Sequence, residues 1–373
     1  MAIASKIRGT LLGGALGDAL GYVVEFDRIP VIRERFGADG LQGFEQLDGP
    51  VDFSDDTQMT LYGADGLNEV LAWARDGVGA DELACIWLAY LRWLQSQGVA
   101  LPDSAPQPQP RWIDAQAVMR HQRHPGNACL TGLATGEMGT LSRPVNPDSK
   151  GCGTVMRAAP FGLVPQLAPA AVLRLSTDAA ALTHGHPSAR QSAAHFSLLI
   201  HELLLGASLD DAVSALAARL DEDPATDSAL RLRVTRALEL AVGERLLSPE
   251  ELCAELGEGW VAEEALAIAL YAVLVTERAG RNPESTTTAE GTAQDGLLKG
   301  VRSAVVPAER HFRAAVALAV NHDGDSDSTA SLAGNILGAL YGEDALPAAW
   351  LNGVTGLDVV EHVAAELAGL VIE

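Results

Sequence analysis

A chain of 373 residues with 49 acidic against 26 basic side chains carries a net charge of −23, which argues against a nucleic-acid groove or an anionic membrane as its partner. Apolar residues make up 48% and aromatic residues only 5%, so a large core is available, packed through Ala, Leu and Gly rather than bulky rings. Cys85, Cys129, Cys152 and Cys253 form neither a CxxC pair nor the framework of a small secreted domain, and read as reduced thiols of a cytoplasmic protein.

The first helical pattern covers residues 4 to 20 and carries Gly9, Gly13, Gly14 and Gly17, with Gly21 just beyond. Glycine weakens a helix, so these positions predict close packing or close approach of a ligand. Asp18 interrupts the apolar run, so the segment reads better as a small-residue core helix than as a signal peptide. A strong pattern starts at Ser54, placed as the N-cap, and runs through Met59, Leu61, Ala64, Leu67 and Leu71. Leu83 to Leu94 gives another helix, and the proline-rich run 101–110 an exposed loop.

Residues 126–136 and 149–163 read as glycine-bearing loops that lead into helical patterns. Leu and Ala at spacings of three and four predict helices over 168–183, 187–206, 208–220, 226–242 and 261–279. The polar run 281–296 predicts an exposed loop, and 308–320, 328–341 and 355–370 complete the helices. No fixed-period repeat and no alternation of strands with helices appears, so the expected architecture is one all-α domain spanning 1–373, a monomer.

Two acidic clusters stand at helix starts far apart in sequence: Ser54, Asp55, Asp56 and Thr57, and then Asp323, Asp325, Asp327 and Ser328. Acids commonly decorate helix N-termini, where the dipole favours them. The second cluster also fails as an EF-hand, with Ser328 at its sixth position and Gly334 at its twelfth. Yet Gly334, Gly338 and Gly342 give the following helix a smooth stripe for tight packing, which would bury the carboxylates at its start. Buried carboxylates need a cation, and hydroxyls with carboxylates form a hard oxygen site suited to Mg²⁺ or Mn²⁺.

His322 and Asp323 form an HD pair, which raises an HD-type phosphohydrolase as a remote alternative; the oxygen-rich clusters disfavour the imidazole ligation it requires. His184 and His186 are expected at a loop lip as hydrogen-bonders. Glu25, just past the glycine-rich helix, is either a solvated charge or a proton-transfer group beside the metal site.

Taken together, GTLLGGALGDALGYVVEF, FSDDTQMTLYGADGL, GNACL, SKGCGTVMRAAPFGL, ALTHGHPSA and NHDGDSDSTASLAGNILGALYG resemble the ADP-ribosylglycohydrolase family, in its order and over nearly the whole chain. The resemblance implies a compact orthogonal multi-helix bundle holding two Mg²⁺ or Mn²⁺ ions. It also implies hydrolysis of the bond between ADP-ribose and a modified protein, with an arginine N-glycosidic linkage favoured over a serine O-linkage or other conjugates. Its metal ligands fall on Ser54, Asp55, Asp56, Asp325, Asp327 and Ser328, and its catalytic acid or base on Glu25. Asp323 stands where the family carries a small residue and is not expected to ligate. Substrate contacts fall on Gly126, Asn127, Gly151, Cys152, Gly153, Thr154, Met156 and His184, with Cys152 where many relatives have asparagine. A catalytically silent ADP-ribose sensor is the non-enzyme alternative.

Overall fold

The computed structural model describes residues 2–243, 245–281 and 307–372. Fourteen α-helices occur among them, with two isolated β-bridges and no longer strand. In chain order they are α1 (Ile3–Tyr22), α2 (Ile29–Phe36), α3 (Asp55–Arg75), α4 (Glu82–Ser96), α5 (Asn127–Ala134), α6 (Pro169–Ala181) and α7 (Pro187–Leu204). Then follow α8 (Leu209–Glu222), α9 (Ser228–Val242), α10 (Pro249–Leu256), α11 (Ala262–Arg281), α12 (Pro307–Val320), α13 (Ser326–Tyr341) and α14 (Leu357–Ile372).

The long helices fall where their periodicity predicts. Three short ones do not: α5 lies inside a stretch expected to be a loop, while α2 and α10 carry eight residues each, too few for a repeating pattern. The proline-rich run 101–110 is non-helical and mostly exposed. Of the loop expected at 281–296, Arg281 closes α11 and the rest lies outside the described residues.

The centre of the molecule is the pairing of α1 with α13, joined by α14, α12 and α11. The glycine stripes meet there. A Cβ at Gly334 would lie 2.0 Å from the Gly13 carbonyl oxygen, one at Gly338 2.0 Å from that of Gly9, and one at Gly17 2.1 Å from that of Ala330. The backbones therefore touch, at a helix-propensity cost of about 1 kcal/mol per glycine that the contact offsets. Because the pairing is antiparallel, the end of α1 meets the start of α13, and Gly21 abuts Ser326 and Asp327. Helix α3 packs on α4 and α14 with its start beside the same junction.

Candidate metal centre

Three helix ends converge on one cavity of about 230 Å³. Its wall includes Asp55 and Asp56 from the start of α3, Asp325, Asp327 and Ser328 from the start of α13, and Glu25 from the turn after α1. The segments 124–129, which includes the first turn of α5, and 151–156, with His184 and Trp260, complete it.

At the start of α3 the exposed backbone donors are satisfied without these acids. The Asp56 amide donates to Ser54 Oγ at 3.1 Å, the Asp55 amide to the Arg123 carbonyl at 3.2 Å, and the Thr57 amide to Asp18 Oδ2 at 3.0 Å. The carboxylates of Asp55 and Asp56 are thereby released from capping. Asp55 accepts from the Gly126 amide at 3.3 Å, and Asp56 from the Ser328 hydroxyl at 2.7 Å, which ties the two clusters together.

At the start of α13 the approach is pinned by Gly324, whose φ of 143° lets it lie against Glu258; a Cβ there would fall 2.0 Å from the Glu258 carbonyl oxygen. The same carbonyl accepts from the Asp325 amide at 2.8 Å. Carboxylate oxygens of Glu25, Asp325 and Asp327 then lie within 4.8 Å of one another, all three residues buried.

Burial pushes the carboxyls of Asp55, Asp56 and Asp325 well above their ordinary range, with the Asp327 charge the next cause. Glu25, 7% exposed, is pushed to about 10 by burial and then by Asp327 and Asp325. Among the described residues no Lys or Arg forms an ion pair with any of these groups, and Glu25 Oε2 has no hydrogen-bond partner. Such a cluster is costly unless a cation enters, and its all-oxygen donors fit a hard divalent ion.

Of the residues expected at the site, Glu25, Asp55, Asp56, Asp325, Asp327 and Ser328 line the cavity, as do Gly126, Asn127, Gly151, Cys152, Gly153, Met156 and His184. Ser54 and Thr154 do not line it. Ser54 is fully buried as the α3 cap, and the Thr154 hydroxyl donates to the Ala189 carbonyl at 2.9 Å. The Gly126 amide, expected to face substrate, is bonded to Asp55. The Cys152 thiol donates to Asp325 Oδ2 at 2.7 Å, so the residue that replaces asparagine touches the carboxylate cluster.

The two loop histidines part company. His184 is buried in the cavity wall rather than at a lip; its Nδ1 lies 2.8 Å from the Thr183 hydroxyl, and burial, then Arg157, lowers it to about 3, leaving a neutral imidazole. His186 caps α7 instead, accepting from the Ser188 amide at 3.1 Å. The HD pair is not in the cavity: His322 is buried against Thr329, and Asp323 accepts from the Ile29 amide at 2.7 Å and from Arg28.

Four neighbours were not expected at the site from the sequence. His124 and Trp260 line the cavity; Phe26 lies 4.9 Å from the His124 ring and stacks on Trp260 at 6.4 Å and 21°. Phe26 and Trp260 are 64% and 41% exposed, an aromatic lip beside Glu25. Asp18 is the fourth. An aspartate inside an apolar, glycine-rich helix has to be buried and partnered, and that was the available signal.

The family model for ADP-ribosylglycohydrolase matches residues 1–373. The chain belongs to the ADP-ribosylglycohydrolase family. It is 27% identical to an ADP-ribosylhydrolase ARH3 from Danio rerio, over 98% of this chain and 90% of that protein. It is 24% identical to the ADP-ribosyl-[dinitrogen reductase] glycohydrolase of Rhodospirillum rubrum, over 92% and 88%. A solved structure titled ADP-ribosylglycohydrolase-related protein complex superposes with a TM-score of 0.61 at 26% identity, covering 99% of this chain and 98% of that one. Membership makes this ADP-ribosylglycohydrolase-family protein a hydrolase of ADP-ribose conjugates with an all-α fold of the family type. Metal dependence is a family property, and the carboxylate cluster is its candidate seat here.

Proposed function

We propose that the chain, as one catalytic domain, hydrolyses the glycosidic bond between ADP-ribose and a modified protein side chain, with the arginine N-glycosidic linkage as preferred substrate. The observation that carries this is the buried set of Glu25, Asp55, Asp56, Asp325 and Asp327 around one cavity without a partner cation among the described residues. Two Mg²⁺ or Mn²⁺ ions would be held by Asp55, Asp56, Asp325, Asp327 and Ser328, with Ser54 close behind. Bound there, divalent ions supply Lewis-acid polarisation and a template for hydroxyl groups.

Glu25 is the proton-transfer group. It borders the cavity at the α1 end, and its free Oε2 leaves an oxygen available to a water or a leaving group. His184 enters as a neutral imidazole that can donate or accept a hydrogen bond to substrate but carries no charge to repel a cation. Gly151 and Gly153 keep the facing wall thin: a Cβ at Gly153 would lie 2.7 Å from Cys129 Sγ and 3.1 Å from the His184 ring. Backbone approaches a diphosphate most closely at such positions. The lip of Phe26 and Trp260 supports the arginine preference, since a planar guanidinium stacks on aromatic faces and a serine side chain has nothing to stack. Four free cysteines support a reducing, cytoplasmic setting, and a monomer is proposed.

The test is ADP-ribose release from arginine-linked and serine-linked peptides at equal Mg²⁺ or Mn²⁺, with and without chelator. Faster, chelator-sensitive release from the arginine peptide is expected. Release from the serine peptide alone overturns the linkage, and tight ADP-ribose binding with no release from any conjugate replaces the enzyme by a sensor.

A further inference from the structure

Asp18 is fully buried near the end of α1 and belongs to none of the ligand or substrate positions above. Burying a carboxylate there is costly, and it is repaid only by what the carboxylate accepts. Its Oδ1 accepts from the Ser54 amide at 2.9 Å. Its Oδ2 accepts from the Thr57 amide at 3.0 Å and from the Thr57 hydroxyl. Both oxygens are thus spent on the two residues that bracket Asp55 and Asp56. Ser54 caps the Asp56 amide from within the helix start, and the rest of the capping, at the Ser54 and Thr57 amides, comes from a different helix.

We propose that Asp18 is a positioning residue for the metal centre: it clamps the start of α3 to α1 so that Asp55 and Asp56 face Asp325 and Asp327 across the cavity. The inference rests on the proposed metal centre. The geometry gives the clamp a reason. Helix α1 is locked to α13 by backbone contact through Gly13, Gly17 and Gly21, so a group fixed to α1 is fixed relative to Asp325 and Asp327. Helix α3 has no comparable stripe against α13, and Asp18 transfers the α1–α13 alignment to it through three hydrogen bonds. The Asp56 to Ser328 contact at 2.7 Å is the point where the alignment is read out.

Asp18→Asn is the informative change. An amide has one acceptor oxygen and one NH₂, so whichever way it turns, the NH₂ faces a backbone N–H of Ser54 or Thr57 and one end of the clamp opens. Thr57→Val tests the same clamp from the other side, removing the hydroxyl while leaving Asp18 and the helix start in place. Free Mn²⁺ is titrated by electron paramagnetic resonance against wild type and both variants, with circular dichroism to establish folding. The expected result is a rise in the Mn²⁺ Kd of roughly 10- to 100-fold for Asp18→Asn. Thr57→Val should raise it by roughly 2- to 10-fold with no change in the number of ions bound.

A residue that only supports the fold would change melting temperature and leave the Kd of the folded fraction alone. Wild-type Kd in both folded variants therefore overturns the inference while the metal centre stands. Loss of one bound ion in Asp18→Asn with Thr57→Val unaffected also overturns it, because Asp18 would then be a direct ligand. Absence of Mn²⁺ binding by the wild type overturns the metal centre and the clamp together.

Discussion

Asp327→Asn should stabilise the protein without metal and weaken it with metal. After burial itself, Asp327 is the largest cause of the raised carboxyls at Glu25, Asp18, Asp55, Asp56 and Asp325, so it is the charge the others feel most. One of its carboxylate oxygens lies within 4.8 Å of carboxylate oxygens of Glu25 and Asp325. Two like charges at that separation repel by about 3.5 kcal/mol at an effective dielectric of about 20. Protonation of neighbours relieves part of this, leaving roughly 2–3 kcal/mol to be gained when the charge is removed. Asparagine keeps the shape and the acceptor for the Ser328 amide, now bonded to Asp327 Oδ1 at 2.9 Å.

For a chain of this length the entropy of unfolding is on the order of 0.8 kcal/mol per kelvin, so the metal-free variant should melt about 3–4 °C above the metal-free wild type. Divalent ion at about 1,000 times its Kd should then stabilise the wild type by about 4.1 kcal/mol, more than the variant's metal-free advantage, and reverse the order, while the variant responds weakly. Scanning calorimetry at pH 8 with EDTA, and again with Mn²⁺, measures both. A metal-free variant that melts below wild type, or an equal response of both to Mn²⁺, refutes the account of the cluster as mutually repelling ligands.

The same cluster fixes a pH dependence. Asp18 is raised from 3.8 to about 7 and Glu25 from 4.5 to about 10, so between about pH 4 and those values the folded metal-free protein holds more protons than the unfolded chain. Stability is fully present below pH 4 as far as these groups are concerned and is lost as pH rises, by roughly 4 kcal/mol for Asp18 alone; melting curves in EDTA that rise from pH 5 to 8 would contradict this. Glu25→Gln keeps shape and loses the titrating proton, so turnover should fall roughly 10²- to 10⁴-fold with little change in ADP-ribose affinity, checked by single-turnover kinetics and calorimetric binding. Gly334→Ala places a Cβ 2.0 Å from the Gly13 carbonyl oxygen and should cost about 1–3 kcal/mol and raise the Mn²⁺ Kd, because separating α1 from α13 displaces Glu25 from Asp327. An unchanged melting temperature and Kd would show that the stripe is not what aligns them.

What the sequence discloses about this site depends on whether a residue's chemistry or only its neighbourhood marks it. Asp55, Asp56, Asp325 and Asp327 were legible because acids at helix starts are conspicuous, and the glycines of α1 and α13 because they violate helix propensity and so require a compensating contact. Ser54 was legible as an N-cap, and the structure spends its hydroxyl on that duty. Phe26, His124 and Trp260 come from three separate loops, and no local pattern connects residues whose only relation is a shared cavity mouth. The eight-residue helices α2, α5 and α10 were invisible for a different reason, since two turns give periodicity too little length to register. Asp18 lies between these cases. Its burial could be foreseen from the apolar run around it, but its partners are 36 and 39 residues away, and only the fold reveals that it serves the start of α3. A buried acid inside an apolar helix therefore marks a structural obligation, and the identity of what it holds is a tertiary fact. Here the fact is informative because the held segment is the one that carries Asp55 and Asp56.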